Sequence, residues 1–166
     1  MEKLKLNGVI PPILTPFDED GNVDAEALGI LTEYLISNGV SGIFALGTAG
    51  ESPLLTRNQR QQALTAIAEV TSGKSPLLVG LLESSTDRIL ELIPEAEDFG
   101  ASAIVVSTPY YYPVQQQEII KHIVTIRERT ELPIVLYNIP SRTMSSFDIE
   151  TIICIEAKVV VDASGD

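Results

Sequence analysis

The sequence predicts an α/β fold in which a parallel sheet is covered by helices, and three observations carry that prediction. Short runs rich in apolar and β-branched residues alternate with segments of helical period. The strand runs are continuously apolar, as expected of strands buried on both faces. The segments between them are long enough for the crossover helix that parallel neighbours need. About six strands and five helices are expected. No linker, low-complexity tract or charge block interrupts the sequence, so residues 1–166 are expected to form a single domain.

Gly8 to Thr15 is the first predicted strand. A turn rich in Asp and Gly leads to a helix from Asp24 to about Asn38, with Asp24 as N-cap and Asn38-Gly39 as its stop. The second strand, Gly42 to Leu46, runs into a Gly-rich loop. Thr56 then caps a helix from Arg57 to about Val70, with Leu64, Ile67, Ala68 and Val70 as its inner stripe. Pro76 to Gly80 is the third strand, Ser85 to Phe99 a helix, Ala103 to Ser107 the fourth strand and Gln115 to Thr130 a helix. Pro133 to Tyr137, Phe147 to Ile155 and Val159 to Asp162 complete the series as strand, helix and strand. Two architectures fit this order. An open, doubly wound parallel sheet ends naturally at five or six strands, whereas a (β/α)8 barrel normally takes about 250 residues, so periodicity alone favours the open sheet.

Composition narrows the function. With 11 Lys and Arg against 23 Asp and Glu, the net charge is −12. Nucleic acid and anionic membrane surfaces both call for clustered cations, so neither is an expected partner. The N-terminal Met1-Glu2-Lys3-Leu4-Lys5 lacks the apolar run of a signal peptide, and a cytoplasmic location is expected. One cysteine, Cys154, and one histidine, His122, leave no internal disulfide and no Cys or His cluster for a metal. No cofactor is called for. His122 is expected near the surface of its helix, and Cys154, among three isoleucines, is expected to be a small buried hydrophobe.

Polar and aromatic residues gather just after the predicted strands: Thr48 and Glu51, Tyr110 to Tyr112, and Tyr137, Ser141 and Arg142. In parallel α/β folds these strand ends form the reaction face. The segments Gly47-Thr48-Ala49-Gly50-Glu51-Ser52, Thr108-Pro109-Tyr110-Tyr111 and Tyr137-Asn138-Ile139-Pro140-Ser141-Arg142-Thr143 stand in order. They lie between an opening Gly8-Val9-Ile10-Pro11-Pro12-Ile13-Leu14-Thr15-Pro16-Phe17 and a closing Asp162-Ala163-Ser164-Gly165-Asp166. Together they resemble the successive signatures of the dihydrodipicolinate synthase and N-acetylneuraminate lyase family, over essentially the whole chain.

That resemblance implies an incomplete (β/α)8 barrel of the TIM type, because the family's pattern continues beyond the sixth predicted strand. It implies class I aldolase chemistry, in which a lysine forms a Schiff base with pyruvate or another 2-oxo acid. By the same resemblance Tyr137 is the proton-transferring phenol, linked through Thr48 to Tyr111, which a neighbouring subunit contributes in tetrameric members. The amides of Thr48 and Ala49 would hold the substrate carboxylate, and Arg142 a second one.

The departures from the pattern matter as much. The Schiff-base lysine is replaced by Val161, which has no amine. Of the five lysines, Lys3 and Lys5 precede the first predicted strand, Lys74 lies in a loop on the opposite face and Lys121 is inside a helix. Lys158 is nearest, yet three residues of displacement reverse its face and move it roughly 10 Å along the strand. Ala49 takes the place of a second threonine, and Leu81-Leu82-Glu83 replaces a small Gly-rich loop, which predicts a narrower, partly acidic pocket. The reading expected from these residues is a lyase-family protein with impaired or lost catalysis that binds a 2-oxo acid through Thr48, Ala49, Tyr137 and Arg142. An active class I lyase completed by a second chain and a non-catalytic interaction module are the alternatives. A homo-oligomer is expected, formed through the open barrel edge or the tyrosine loop.

Overall fold

Five strands, all parallel, make one sheet whose spatial order is their order in the chain: β1 (Ile43–Ala45), β2 (Leu77–Gly80), β3 (Ala103–Ser107), β4 (Ile134–Asn138) and β5 (Val160–Asp162). The computed structural model describes residues 6–157 and 159–163. A doubly wound sheet reverses direction at a switch point, and this one does not. The architecture is therefore the curled part-barrel, not the open sheet that periodicity alone favours.

Alternation along the strands divides the apolar residues between two faces. Ile43, Ala45, Leu77, Val79, Ile104, Val106 and Leu136 belong to the large core shared with the helices. Leu78, Ala103, Val105 and Val135 form a smaller cluster on the opposite, concave face, joined by Phe44, Tyr137 and Val159. The convex face carries α1 (Ala25–Ser37), α2 (Arg57–Thr71), α3 (Thr86–Asp98), α4 (Gln116–Arg127) and α6 (Ile149–Cys154). Asp24 caps α1 by accepting from the Ala27 amide at 2.9 Å. Thr56 and Gln59 cap α2 reciprocally.

The first predicted strand is not a strand. Pro11 and Pro12 have no N–H to offer a ladder, so the segment makes only a single parallel bridge, Pro12 to Phe44. The Ile13 amide donates to the Phe44 carbonyl at 2.9 Å, and the Phe44 amide to the Pro11 carbonyl at 3.0 Å. One helix was not foreseen: the single turn α5 (Pro140–Thr143), started by a proline whose φ is preset and stopped by Met144 in the left-handed region, φ 59°.

Two side chains lie elsewhere than expected. His122 is only 2% exposed, because the inner stripe of α4 runs Ile119, His122, Ile123, Ile126 and carries the imidazole into the core. Cys154 is exposed, as is Ile153, since the six-residue α6 turns Thr151, and the following Ile155, inward instead. Lys3, Lys5 and Lys158, and the Ser164-Gly165-Asp166 end of the closing motif, lie outside the described residues.

Burial pushes the His122 imidazole down to about 4, and the Ser107 backbone opposes this only weakly. Its Nδ1 lies 2.9 Å from the Thr86 hydroxyl. Between pH 4 and the ordinary value near 6.5 the unfolded chain binds a proton that the folded chain refuses. The stabilisation is thus complete above pH 6.5 and is lost as pH falls toward 4, by on the order of 3 kcal/mol at most. Urea unfolding of the parent and of His122→Gln from pH 7 to pH 4 should show the shallower decline in the variant. Equal slopes would mean that His122 does not contribute to acid lability.

Candidate active site

The carboxyl ends of all five strands open on one edge of the sheet, and the loops there carry the candidate residues. The loop after β1 is built on backbone that ordinary side chains avoid: Leu46 has φ 55° and Glu51 φ 57°. Three tethers hold it. Gly80 lies directly under Leu46, so close that a Cβ there would stand 2.0 Å from the Leu46 carbonyl oxygen. The Thr15 hydroxyl donates to the Gly50 carbonyl at 2.8 Å. Ser52 accepts from the guanidinium of Arg60 at 3.4 Å. Inside the loop, the Glu51 amide donates to the Thr48 carbonyl and the Ser52 amide to the Gly47 carbonyl. Thr48 and Ala49 remain exposed at the tip, and among the described residues neither amide donates to another group of the chain. Two adjacent backbone amides at the tip are thus left without an acceptor among the described residues.

The neighbouring loops are tied to one another. After β2, Leu81 packs into the helix-side core, and Glu83 pairs with Arg88 at 2.6 Å. The Leu82 carbonyl accepts from the Tyr110 hydroxyl at 3.2 Å. Burial first, and the nearby Glu83 second, raise the Tyr110 phenol above its usual range, with Arg88 opposing. Tyr111 has φ 83° and is 72% exposed, packing edge-on against Tyr112 with ring centroids 4.9 Å apart. After β4, Asn138 spans two elements: its Nδ2 donates to Asp162 Oδ1 at 3.0 Å, and its Oδ1 accepts from the Phe147 amide at 3.1 Å. Arg142 on α5 points to solvent.

Tyr137 sits inside the curve of the sheet, edge-on to Phe44 at 5.9 Å. Strand register places it level with Ser107 on one side and Val161 on the other. Tyr137, Phe44 and Val161 line a cavity of about 450 Å³ with Leu78, Val105 and Val135. Its walls are thus almost wholly apolar. Leu81, Leu82 and Glu83 are not among the residues that line this cavity.

The structure therefore brings Tyr137 and Val161 together on the concave face and sets Thr48, Ala49, Tyr111 and Arg142 on exposed loops around it. No hydrogen bond among the described residues joins Thr48 to Tyr137 or Tyr111. Sequence reasoning overlooked Phe44, Asn138 and Arg60. For Arg60 the signal was present: with Ala63, Leu64, Ile67 and Thr71 it falls on the buried stripe of α2, where a charge needs a reason. Among the described residues no three His, Cys, Asp or Glu side chains converge as metal ligands, and no helix is long and apolar enough to cross a membrane.

Comparison with known proteins adds the lineage. The model of the dihydrodipicolinate synthetase family matches residues 5–160. A 4-hydroxy-tetrahydrodipicolinate synthase of Methanococcus maripaludis is 40% identical over 147 residues, which is 89% of this chain and 50% of that protein. The enzyme of the same name from Thermotoga maritima is 40% identical over 136 residues, 82% of this chain and 46% of its own length. The solved structure of the chloride-inhibited dihydrodipicolinate synthase of Acinetobacter baumannii, complexed with pyruvate, superposes with a TM-score of 0.92 at 34% identity, covering 98% of this chain and 57% of that one. The chain spans about half the length of the curated relatives it matches.

The contact between Gly80 and Leu46 is backbone against backbone, so neither side can yield cheaply. Gly80→Ala should destabilise the protein by about 1–3 kcal/mol or more. Gly29→Ala is the control of opposite sign, because Gly29 is helical and its nearest neighbour to a new methyl, Val70 Cγ2, is 4.0 Å away; it should add about 0.5–1 kcal/mol. Thermal unfolding checks both, and a neutral Gly80→Ala would show that the loop after β1 is not fixed by this contact.

Proposed function

The chain belongs to the dihydrodipicolinate synthetase family, and from that premise we propose that it keeps the pocket for a small 2-oxo acid such as pyruvate but forms no Schiff base at position 161. The observation that carries the reading is the strand register: Val161 stands beside Tyr137 on the concave face, where the family's chemistry calls for an amine. An imine requires a nitrogen lone pair to attack the keto carbon and expel its oxygen as water. The isopropyl group of valine has none. Without the imine, no electron sink forms to stabilise a carbanion at the methyl carbon, and the Tyr137 phenol has no proton to relay.

Binding draws on other groups. A carboxylate can be held by the unengaged amides of Thr48 and Ala49, with the hydroxyl of Thr48 beside them and Arg142 available for a second carboxylate. Ala49 supplies an amide but no hydroxyl, which weakens the hold. The overall reading is a lyase-family protein of impaired or lost catalysis, acting in the cytoplasm. Self-association is part of it, through the exposed Tyr111 and Tyr112 pair or the outer edge of β5. A second reading, a lyase made active by another polypeptide, is favoured by the apolar stripe that α1 leaves exposed at Ile30 and Tyr34.

Incubation with pyruvate and borohydride, followed by intact-mass and peptide analysis, tests the proposal. The parent should gain no adduct, whereas Val161→Lys should gain one at the substituted position. An adduct on the parent would refute the loss of the Schiff base, and an adduct that appears only in the presence of a partner chain would support the second reading. If neither form is modified and neither shows pyruvate in saturation-transfer NMR, the pocket itself has been lost.

A further inference from the structure

Arg60 is a buried cation in the wall that separates the helix layer from the reaction face, and it is 5% exposed. Its three donor groups reach three different elements. Nε pairs with Glu95 of α3 at 2.5 Å, one terminal nitrogen donates to the Gly80 carbonyl at the end of β2 at 3.1 Å, and the other to the Ser52 hydroxyl. Burial pulls the guanidinium below its ordinary value, and Glu95 opposes that. Among the described residues Glu95 bonds to Arg60, and its second oxygen is buried without a hydrogen-bond partner.

We propose that Arg60 is the positioning residue of the Thr48–Ala49 loop, fixing the two exposed amides at the spacing that a carboxylate requires. Stability gives a poor reason for such a pair, because desolvating two charges costs about as much as their attraction returns, and apolar replacements of similar volume are often neutral or better. Geometry gives a good one. The planar fork of a guanidinium has fixed donor directions, which the single ammonium of lysine lacks. Arg60 grips the loop at Ser52 and, through the Gly80 carbonyl, the residue on which Leu46 rests, so both feet of the loop are set by one rigid group. Among the described residues, Thr48 and Ala49 lie between those feet with no hydrogen bond to any other element. As a statement about ligand binding the inference rests on the 2-oxo-acid reading above; as a statement about loop geometry it does not.

The decisive variant is the double replacement Arg60→Met with Glu95→Leu, which removes both charges and keeps the volume. It should unfold within a few degrees of the parent. Amide hydrogen exchange across residues 47–52 should nevertheless quicken at least about tenfold relative to β3, and pyruvate should bind at least about tenfold more weakly by NMR titration. Arg60→Lys, which keeps the charge and loses the fork, should show the same two changes. Parent-like exchange and affinity in the double variant would overturn the proposal and leave the pair a packing element. Should the double variant fail to fold, the exchange pattern of Arg60→Lys decides in its place. If the parent binds no pyruvate, the 2-oxo-acid reading falls, while the exchange of residues 47–52 still decides the role of Arg60.

Discussion

The parallel ladder is the constraint on which everything else in this molecule rests. Because all five strands run the same way and neighbour one another in chain order, every strand delivers its carboxyl end to one edge. Register then turns sequence into layers. Gly80, Val105 and Val135 stand level across three strands, and Ser107, Tyr137 and Val161 across the next layer toward the open edge. A one-residue slip of β5 would exchange the faces of its side chains and take Val161 off the concave wall. The convex residues of the same strands prevent it, since Val160 would then leave the helix-side core.

The loops on that edge are held by polar groups, and the number of unusual backbone conformations there reflects it. Of the five non-glycine residues with positive φ among the described residues, Leu46, Glu51, Tyr111 and Met144 lie on the loops that follow strands on the reaction edge, and Glu156 lies elsewhere. Each such residue is costly unless its surroundings over-determine it. Here they do: Leu46 is wedged on Gly80, and Glu51 is bracketed by Thr48 and Leu54 through backbone hydrogen bonds. Beyond Met144, Ser145 accepts from the Thr108 hydroxyl and, through its own hydroxyl, from the Val114 amide, which joins the loops after β3 and β4. Rigid loops around an apolar cavity are a framework for presenting amides and hydroxyls at fixed spacing.

Much of this was legible in the sequence because it is local. The apolar runs located β2 to β5 within a residue or so at their ends, and Asp24 and Thr56 marked helix starts through a hydrogen bond that spans only three residues. What escaped is non-local or depends on a missing group. Pro11 and Pro12 read as apolar and extended, but pairing needs N–H donors that they lack. His122 was misjudged because an imidazole was weighed by its chemistry and not by its place on the stripe between Ile119 and Ile123. Arg60 could be flagged by its stripe, yet its partners Gly80 and Glu95 are 20 and 35 residues away and no periodicity links them. The site residues were legible as motifs, while their division between a concave wall and exposed loops required the fold.

Position 161 shows how fold and chemistry separate. A β-branched residue suits a strand better than lysine does, and among Phe44, Leu78, Val105 and Val135 an isopropyl group needs no desolvation of charge. The sheet is therefore indifferent to, or gains from, a valine at this position, in keeping with the different demands that stability and activity make on one residue. Val161 is nonetheless 45% exposed, so an ammonium placed there would keep much of its water. Position 161 thus joins the apolar wall beside Tyr137 through a side chain that carries no nitrogen.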